Sequence, residues 1–238
     1  MKLPVGIQTF SKIREDDYVY VDKTKEALEL INNYEYVFLS RPRRFGKSLF
    51  LDTLKCIFEG KKEYFKGLYI EDRYDFVQTY PVIHISFAGS LQTKDGLDGT
   101  MKYILRENMN YLGIECDDNL NIPDCLASLI EKSYEKYQQK AVVLIDEYDK
   151  PILDNITDPE MLKYARNSLK SFYEILKKSD RYLRFVFLTG VSKFSKVSVF
   201  SGLNNIKDIS LHKKFGNICG YTHHDIETLF RPLLTGVD

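Results

Sequence analysis

Tryptophan is absent from the sequence, and cysteine occurs four times, at Cys56, Cys116, Cys125 and Cys219. None of the four stands in a C-x-x-C pair or at another metal-ligand spacing, which excludes a zinc knuckle and a dithiol redox motif. They read as free thiols in a reducing cytoplasm. No apolar run approaches the ~18 residues that a membrane span needs, and no basic-then-apolar leader opens the chain. The expectation is a soluble, cytoplasmic protein with no membrane partner. Net charge is missing too: Lys+Arg and Asp+Glu both number 34. With no overall field, the chain alone is not expected to bind nucleic acid, although Arg41, Arg43 and Arg44 make a local basic patch. Neither G-x-S-x-G nor an ordered Ser/His pairing occurs, so nothing reads as nucleophilic catalysis. Repeats, low-complexity tracts and Gly/Ser/Pro-rich linkers are also absent, and 238 residues suffice for one sizeable core or a core with a small appendage.

What is present centres on Phe38-Leu39-Ser40-Arg41-Pro42-Arg43-Arg44-Phe45-Gly46-Lys47-Ser48. An apolar run precedes it, and Leu49-Phe50-Leu51-Asp52-Thr53-Leu54, which reads as a helix, follows. Strand, loop, Gly-Lys-Ser and helix are the context of a phosphate-binding loop. The first helical turn offers unpaired N–H groups and a partial positive charge to an anion. Residues Arg43 to Leu49 are the candidates for holding the nucleotide: Gly46 for close backbone approach, Lys47 for the β- and γ-phosphates, Ser48 for Mg²⁺ through its hydroxyl. The usual G-x-x-x-x-G-K-[ST] pattern wants glycine where this chain has Arg41.

Hydrophobic periodicity places strands at about 36–39, 82–87, 141–145 and 184–189, with a short and weaker one at 207–211. Helical patterns cover about 47–59, 94–112, 122–138 and 158–178. Asp22 is a candidate N-cap for a helix carrying Ala27, Leu28, Leu30 and Ile31, and Thr222-His223-His224-Asp225 is a capping box opening a helix to about 230. Apolar strands alternating with helices predict an α/β fold, a mostly parallel sheet with helices on both faces. Ligands of such sheets sit at the carboxyl ends of the strands.

Val142-Val143-Leu144-Ile145-Asp146-Glu147 places two acids at one such end. Asp146 is the candidate Mg²⁺ ligand, and Glu147 the candidate for polarising a water against the γ-phosphate. Thr189 ends the next strand, where it either orients water or phosphate or satisfies local backbone; Ser192 competes for that role. Asn205-Ile206-Lys207-Asp208 has the letters of the guanine motif in the wrong register, which favours adenine.

Arg41-Pro42-Arg43-Arg44-Phe45-Gly46-Lys47-Ser48 and Ile145-Asp146-Glu147-Tyr148-Asp149 together resemble the AAA-ATPase-like family of bacteria and archaea. The opening Leu3 to Phe10, the Tyr20 to Thr24 segment, Leu188 to Ser192, Leu203-Asn204-Asn205 and Cys219 to Thr222 are similar to its other blocks, so the resemblance spans nearly the whole chain. It implies that Arg41 is a family habit. It also implies a P-loop NTPase fold of the additional-strand, AAA/RecA-like type with strand order 5-1-4-3-2, and a nuclease-like C-terminal domain that has not begun at Asp238. On this reading residues 1–238 are one ATPase-like domain: a strap over 1–33, the sheet core over 34–212 and the start of a helical lid over 213–238.

The leading expectation is therefore Mg²⁺-dependent ATP binding with slow hydrolysis, in which Lys47, Glu147 and Thr189 do the chemistry and an attached or partner domain is driven. The alternative is a nucleotide-sensing interaction module with negligible turnover; a DNA-processing component is a third, weaker reading. Base contacts fall to Phe10, Tyr20 or the Asp22–Thr24 turn unless that segment is only a packing strap. No arginine is assured for the transition state. Arg43, Arg44, Arg181 and Arg231 are candidates for supplying one in trans within a homo-oligomer or from a longer partner.

Overall fold

A computed structural model describes residues 2–87, 89–117, 119–193 and 205–234. Leu203 and Asn204 of the Leu203-Asn204-Asn205 block, and residues 235–238 of the expected lid, lie outside these. In chain order the elements are α1 (Phe10–Glu15), α2 (Thr24–Asn33), β1 (Tyr36–Ser40), α3 (Lys47–Phe58), β2 (Val82–Ser86), α4 (Lys94–Leu112), α5 (Ile122–Tyr137), β3 (Ala141–Asp146), α6 (Lys150–Leu153), α7 (Pro159–Lys178), β4 (Leu183–Gly190) and β5 (Lys207–Asp208). A helical segment follows, His223–Asp225 running through a π turn at Ile226–Phe230 into Arg231–Leu234.

The chain divides into two units. One holds Glu35–Ser40 and Tyr80–Asp208; the other holds the residues up to Tyr34, Arg41–Thr79 and those from Ile209 onward.

The first is the sheet unit. Its five strands are all parallel, in the order β2-β3-β4-β1-β5. Read from the opposite edge this is 5-1-4-3-2, the order expected for the additional-strand P-loop class. On one sheet face Tyr36, Phe38, Ile83, Ile85, Val143, Ile145, Val186 and Leu188 pack with α4, α5 and α7 into a single core. The alternate residues Val37, Leu39, Val142, Leu144, Phe185 and Phe187 are buried as well, which is why these strands read as unbroken apolar runs. The helices start where their caps dictate. Thr93, Asn121 and Asp158 side chains accept the N–H groups of Gly96, Asp124 and Met161, and Gly113 closes α4 in the left-handed conformation.

The second unit carries α1, α2 and α3. Phe10 lies at its centre, fully buried, with its ring against Tyr20 and Phe65. Asp52 of α3 accepts the Phe10 N–H at 2.7 Å, which satisfies the first orphan donor of α1.

Several local expectations change. The strand expected over 207–211 is two residues long, because Ile209 and Ser210 are already turned inward and buried. The periodicity gives no sign of α1: Thr9 at its N-cap makes no side-chain cap bond, and burial of Phe10 and Ile13 with the Asp52 contact is what forms it. α6, four residues with a proline in its first turn, is equally silent in the sequence. Asp22 bonds the Thr24 N–H and hydroxyl, but the cap position is Lys23, one residue later. The capping box at Thr222 and Asp225 forms in both directions.

Candidate functional site

The two motifs fall in different units, and each is built by its own surroundings. In the first, residues 41–48 run from the end of β1 into α3. Gly46 is the N-cap of α3 at φ 85°, and Arg44 two residues earlier is also left-handed, at φ 64°. The left-handed conformation costs glycine nothing but costs arginine roughly 1 kcal/mol or more, so the surroundings must impose it. Lys47 begins the helix and is buried, 7 % exposed. Its amine donates to the carbonyls of Arg41 and Pro42, both at 3.0 Å. No acid occupies the first turn of α3, so no first-turn side chain offsets the positive end of the helix dipole. Ser48 and Leu49 are half-buried in that turn, while Arg43, Arg44 and Phe45 are exposed.

Arg41, the residue that departs from the usual pattern, has a structural job. Its guanidinium donates to the Ser210 carbonyl at 2.5 Å and the Phe215 carbonyl at 3.2 Å. Phe215 is itself buried and edge-on to Tyr34. The arginine thus fastens the loop to a later stretch of its own unit, which glycine cannot do.

The residues expected to contact a base are consumed by packing. Phe10 is fully buried, and the Asp22 carboxylate is shared among Thr24 and the Tyr69 N–H. Tyr20 is half-buried, and desolvation raises its phenol above the ordinary range despite a hydrogen bond with Thr53. Phe10, Tyr20 and Asp22 are thus engaged with residues of their own unit.

In the sheet unit, Asp146 is the last residue of β3 and Thr189 the last but one of β4, on the same sheet face. Thr189 is fully buried, and its hydroxyl donates to Asp146 Oδ1 at 2.5 Å. The same oxygen accepts the Glu147 N–H at 3.0 Å. Thr189 therefore orients the carboxylate. Glu147 is half-buried and left-handed, at φ 52°. Behind it Tyr148 and Asp149 are fully buried. Ser192, the competitor of Thr189, gives its N–H and its hydroxyl to Asp149 Oδ2 at 2.7 and 2.9 Å. It supports the turn.

Arg181 lies before β4, at the opposite end of that strand from Thr189, and pairs with Glu131 at 3.7 Å. Arg231 pairs with Glu227. A groove of about 410 Å³, lined by Asp98, Lys102, Asn121, Tyr164 and Ser168 among others, belongs to the α4, α5 and α7 layer and holds neither motif.

Among the described residues no three His, Cys, Asp or Glu side chains gather as a metal cage. Mg²⁺ does not require one. It keeps several waters and takes one or two carboxylates with phosphate oxygens, so an oriented aspartate such as Asp146 is a fitting donor. No described helix is long and apolar enough to cross a membrane.

Comparison with known proteins follows these features. The sequence profile of a family described as Predicted AAA-ATPase matches residues 4–200. The chain is 50% identical over 239 residues to a protein named "Uncharacterized protein in vnfD 5'region" from Azotobacter chroococcum mcd 1, an alignment covering 100% of this chain and 46% of that protein. The chain thus spans about half the length of the curated relative it matches.

Proposed function

The chain belongs to the AAA-ATPase-like family, and we propose that it binds ATP with Mg²⁺ and hydrolyses it slowly, as a conformational switch or motor for an attached or partner domain. The observation that carries this reading is Lys47: a buried lysine at the first turn of α3, its amine spanned by two loop carbonyls. A desolvated ammonium at the positive end of a helix is an anion site by construction. On arrival of the triphosphate the amine exchanges its carbonyl acceptors for β- and γ-phosphate oxygens. Arg43 and Arg44 are exposed at the loop and suit further phosphate oxygens or a neighbouring molecule's site.

Ser48 and the oriented Asp146 are the residues to hold Mg²⁺, which supplies charge neutralisation at the phosphates when bound. Glu147 polarises the attacking water, and Thr189 keeps Asp146 in place. Placement and electrostatics supply most of the acceleration in such chemistry. An arginine for the transition state is proposed to arrive in trans, from a second copy or from a longer partner such as one carrying a nuclease-like domain. Cytoplasmic action and adenine preference belong to the same proposal.

The test is calorimetric titration of Mg-ATP into wild type and Lys47→Ala, with phosphate release measured beside Glu147→Gln. Loss of the amine should weaken binding about tenfold or more while the fold survives, since charge-assisted phosphate contacts are the strong ones. Equal affinity in the two proteins would remove the loop from the site. Binding without phosphate release from wild type would make the chain a nucleotide-sensing module.

A further inference from the structure

The acid two residues beyond Glu147 has no part in the proposed chemistry, yet it is the most enclosed charged side chain near it. Asp149 is fully buried. Its Oδ2 accepts three hydrogen bonds, from the Val191 N–H at 3.0 Å, the Ser192 N–H at 2.7 Å and the Ser192 hydroxyl at 2.9 Å. Among the described residues its Oδ1 has no hydrogen-bond partner, and it lies against Gly190, where a Cβ would come within 2.8 Å of it.

Two further bonds join the same pair of turns: the Tyr148 N–H donates to the Thr189 carbonyl at 3.0 Å, and the Tyr148 hydroxyl to the Ser192 carbonyl at 2.8 Å. Tyr148 is also fully buried, edge-on to Phe38 of β1. Ser40, the last residue of β1, donates its hydroxyl to the Val191 carbonyl at 3.0 Å. The carboxyl ends of β1, β3 and β4 are thereby stitched together, with the stitches on both sides of Glu147. That residue alone in the turn is left-handed, at φ 52°, a backbone state a glutamate holds only when its neighbours over-determine it.

We infer that Asp149 is a positioning residue for Glu147: its buried carboxylate locks the turn after β3 to the turn after β4 and so holds Glu147 in its strained backbone conformation. The catalytic half of this inference rests on the proposed role of Glu147 as the water-polarising group. The geometric half stands without it. A carboxylate suits the position because one oxygen must accept three donors at once, and Asp149→Asn makes that oxygen a weaker, neutral acceptor and puts an NH₂ group where the other oxygen stood. Glycine suits position 190 because Tyr148 and Asp149 fill the room a side chain needs.

The experiment uses the full chain, with hydrogen–deuterium exchange first. In Asp149→Asn the amides of Tyr148 and Lys150, which bond the Thr189 and Glu147 carbonyls, should exchange about tenfold faster, while α7 and the strand centres keep wild-type protection. Unchanged exchange at those two amides overturns the inference, whether or not the protein turns over ATP. Absence of turnover in wild type would count against the proposed hydrolysis instead.

Where wild type is active, a double-mutant cycle follows. Asp149→Asn should lower kcat about tenfold with KM within threefold, and should change kcat less than twofold in the Glu147→Gln background, because it acts only through Glu147. An equal loss in both backgrounds would show a general structural role and refute the inference. If Asp149→Asn does not fold, Ser192→Ala, which removes one donor and leaves two, carries the same comparisons with smaller effects in the same directions.

Discussion

Gly190→Ala is a severe test of how tightly the strand ends are joined. A Cβ at this position falls 2.5 Å from one ring carbon of Tyr148, closer still to the next, and 2.8 Å from Asp149 Oδ1. Ordinary contact begins near 3.4 Å, so the methyl is about 1 Å short of the room it needs. The ring cannot swing out: Tyr148 is fully buried, edge-on to Phe38 at 5.4 Å between centroids. Overpacking of this kind costs about 1–3 kcal/mol. Against it stands the lower chain entropy of alanine in the unfolded state, about 0.4–1 kcal/mol. The net is a loss of about 1–2 kcal/mol, which in a chain of this length lowers the melting temperature by roughly 2–8 °C. Differential scanning calorimetry reads it, with Gly99→Ala as the companion. Gly99 sits exposed within α4, and a methyl added there would meet nothing within 4 Å, so alanine should raise stability by about 0.5–1 kcal/mol. Shifts of the same sign in the two variants would refute the packing argument.

The sheet was legible because its strands are apolar on both faces. Val142 to Ile145 and Phe185 to Leu188 leave no polar alternation to confuse with an edge strand. The long helices α4, α5 and α7 were legible because period and cap agree at each start. The failures were elements whose formation depends on distant residues. α1 exists because Phe10 finds Tyr20 and Phe65 and because Asp52 meets its first N–H, forty-two positions away. β5 stops after Asp208 because Ile209 and Ser210 are buried in the interior of the second unit, where Ser210 takes the Arg41 guanidinium on its carbonyl.

The candidate site divides the same way. Lys47 and Ser48 are candidates because of the phosphate-loop pattern, Asp146 and Glu147 because two acids follow an apolar strand. The supporting residues carry no such pattern. Asp149 looks in sequence like a second acid in an acidic turn, and only its burial and three donors reveal its work. The available signal was Gly190 paired in sequence with Val191-Ser192 after a buried strand, a small residue where a close approach is required. Arg41 looks like a departure from a pattern and proves to be a fastening. Tyr20 and Phe10 look available to a base and are spent on packing.

Two further outcomes are expected. Burial pushes the Cys56 thiol from 9.0 up to about 12. Its neutral form is favoured in the fold, so the stability this contributes is complete below pH 9.0 and is lost as pH rises toward about 12. Urea melts of wild type and Cys56→Ala should therefore converge over that window, and a difference that stays constant would show the thiol is not enclosed. The other concerns Arg41→Gly, which restores the usual loop pattern and by pattern-matching alone should improve nucleotide binding. The structure predicts the reverse. The guanidinium's bonds to the Ser210 and Phe215 carbonyls are charge-assisted, and such bonds contribute about 1.5–3 kcal/mol each against leaving the acceptor bare. Glycine also adds freedom to a loop in which Arg44 is held left-handed and Lys47 is held by the carbonyls of residues 41 and 42. The variant should melt earlier and bind Mg-ATP more weakly, because the loop must be ordered at the moment of binding. A variant as stable as wild type with tighter binding would show that the arginine fastens nothing the site depends on.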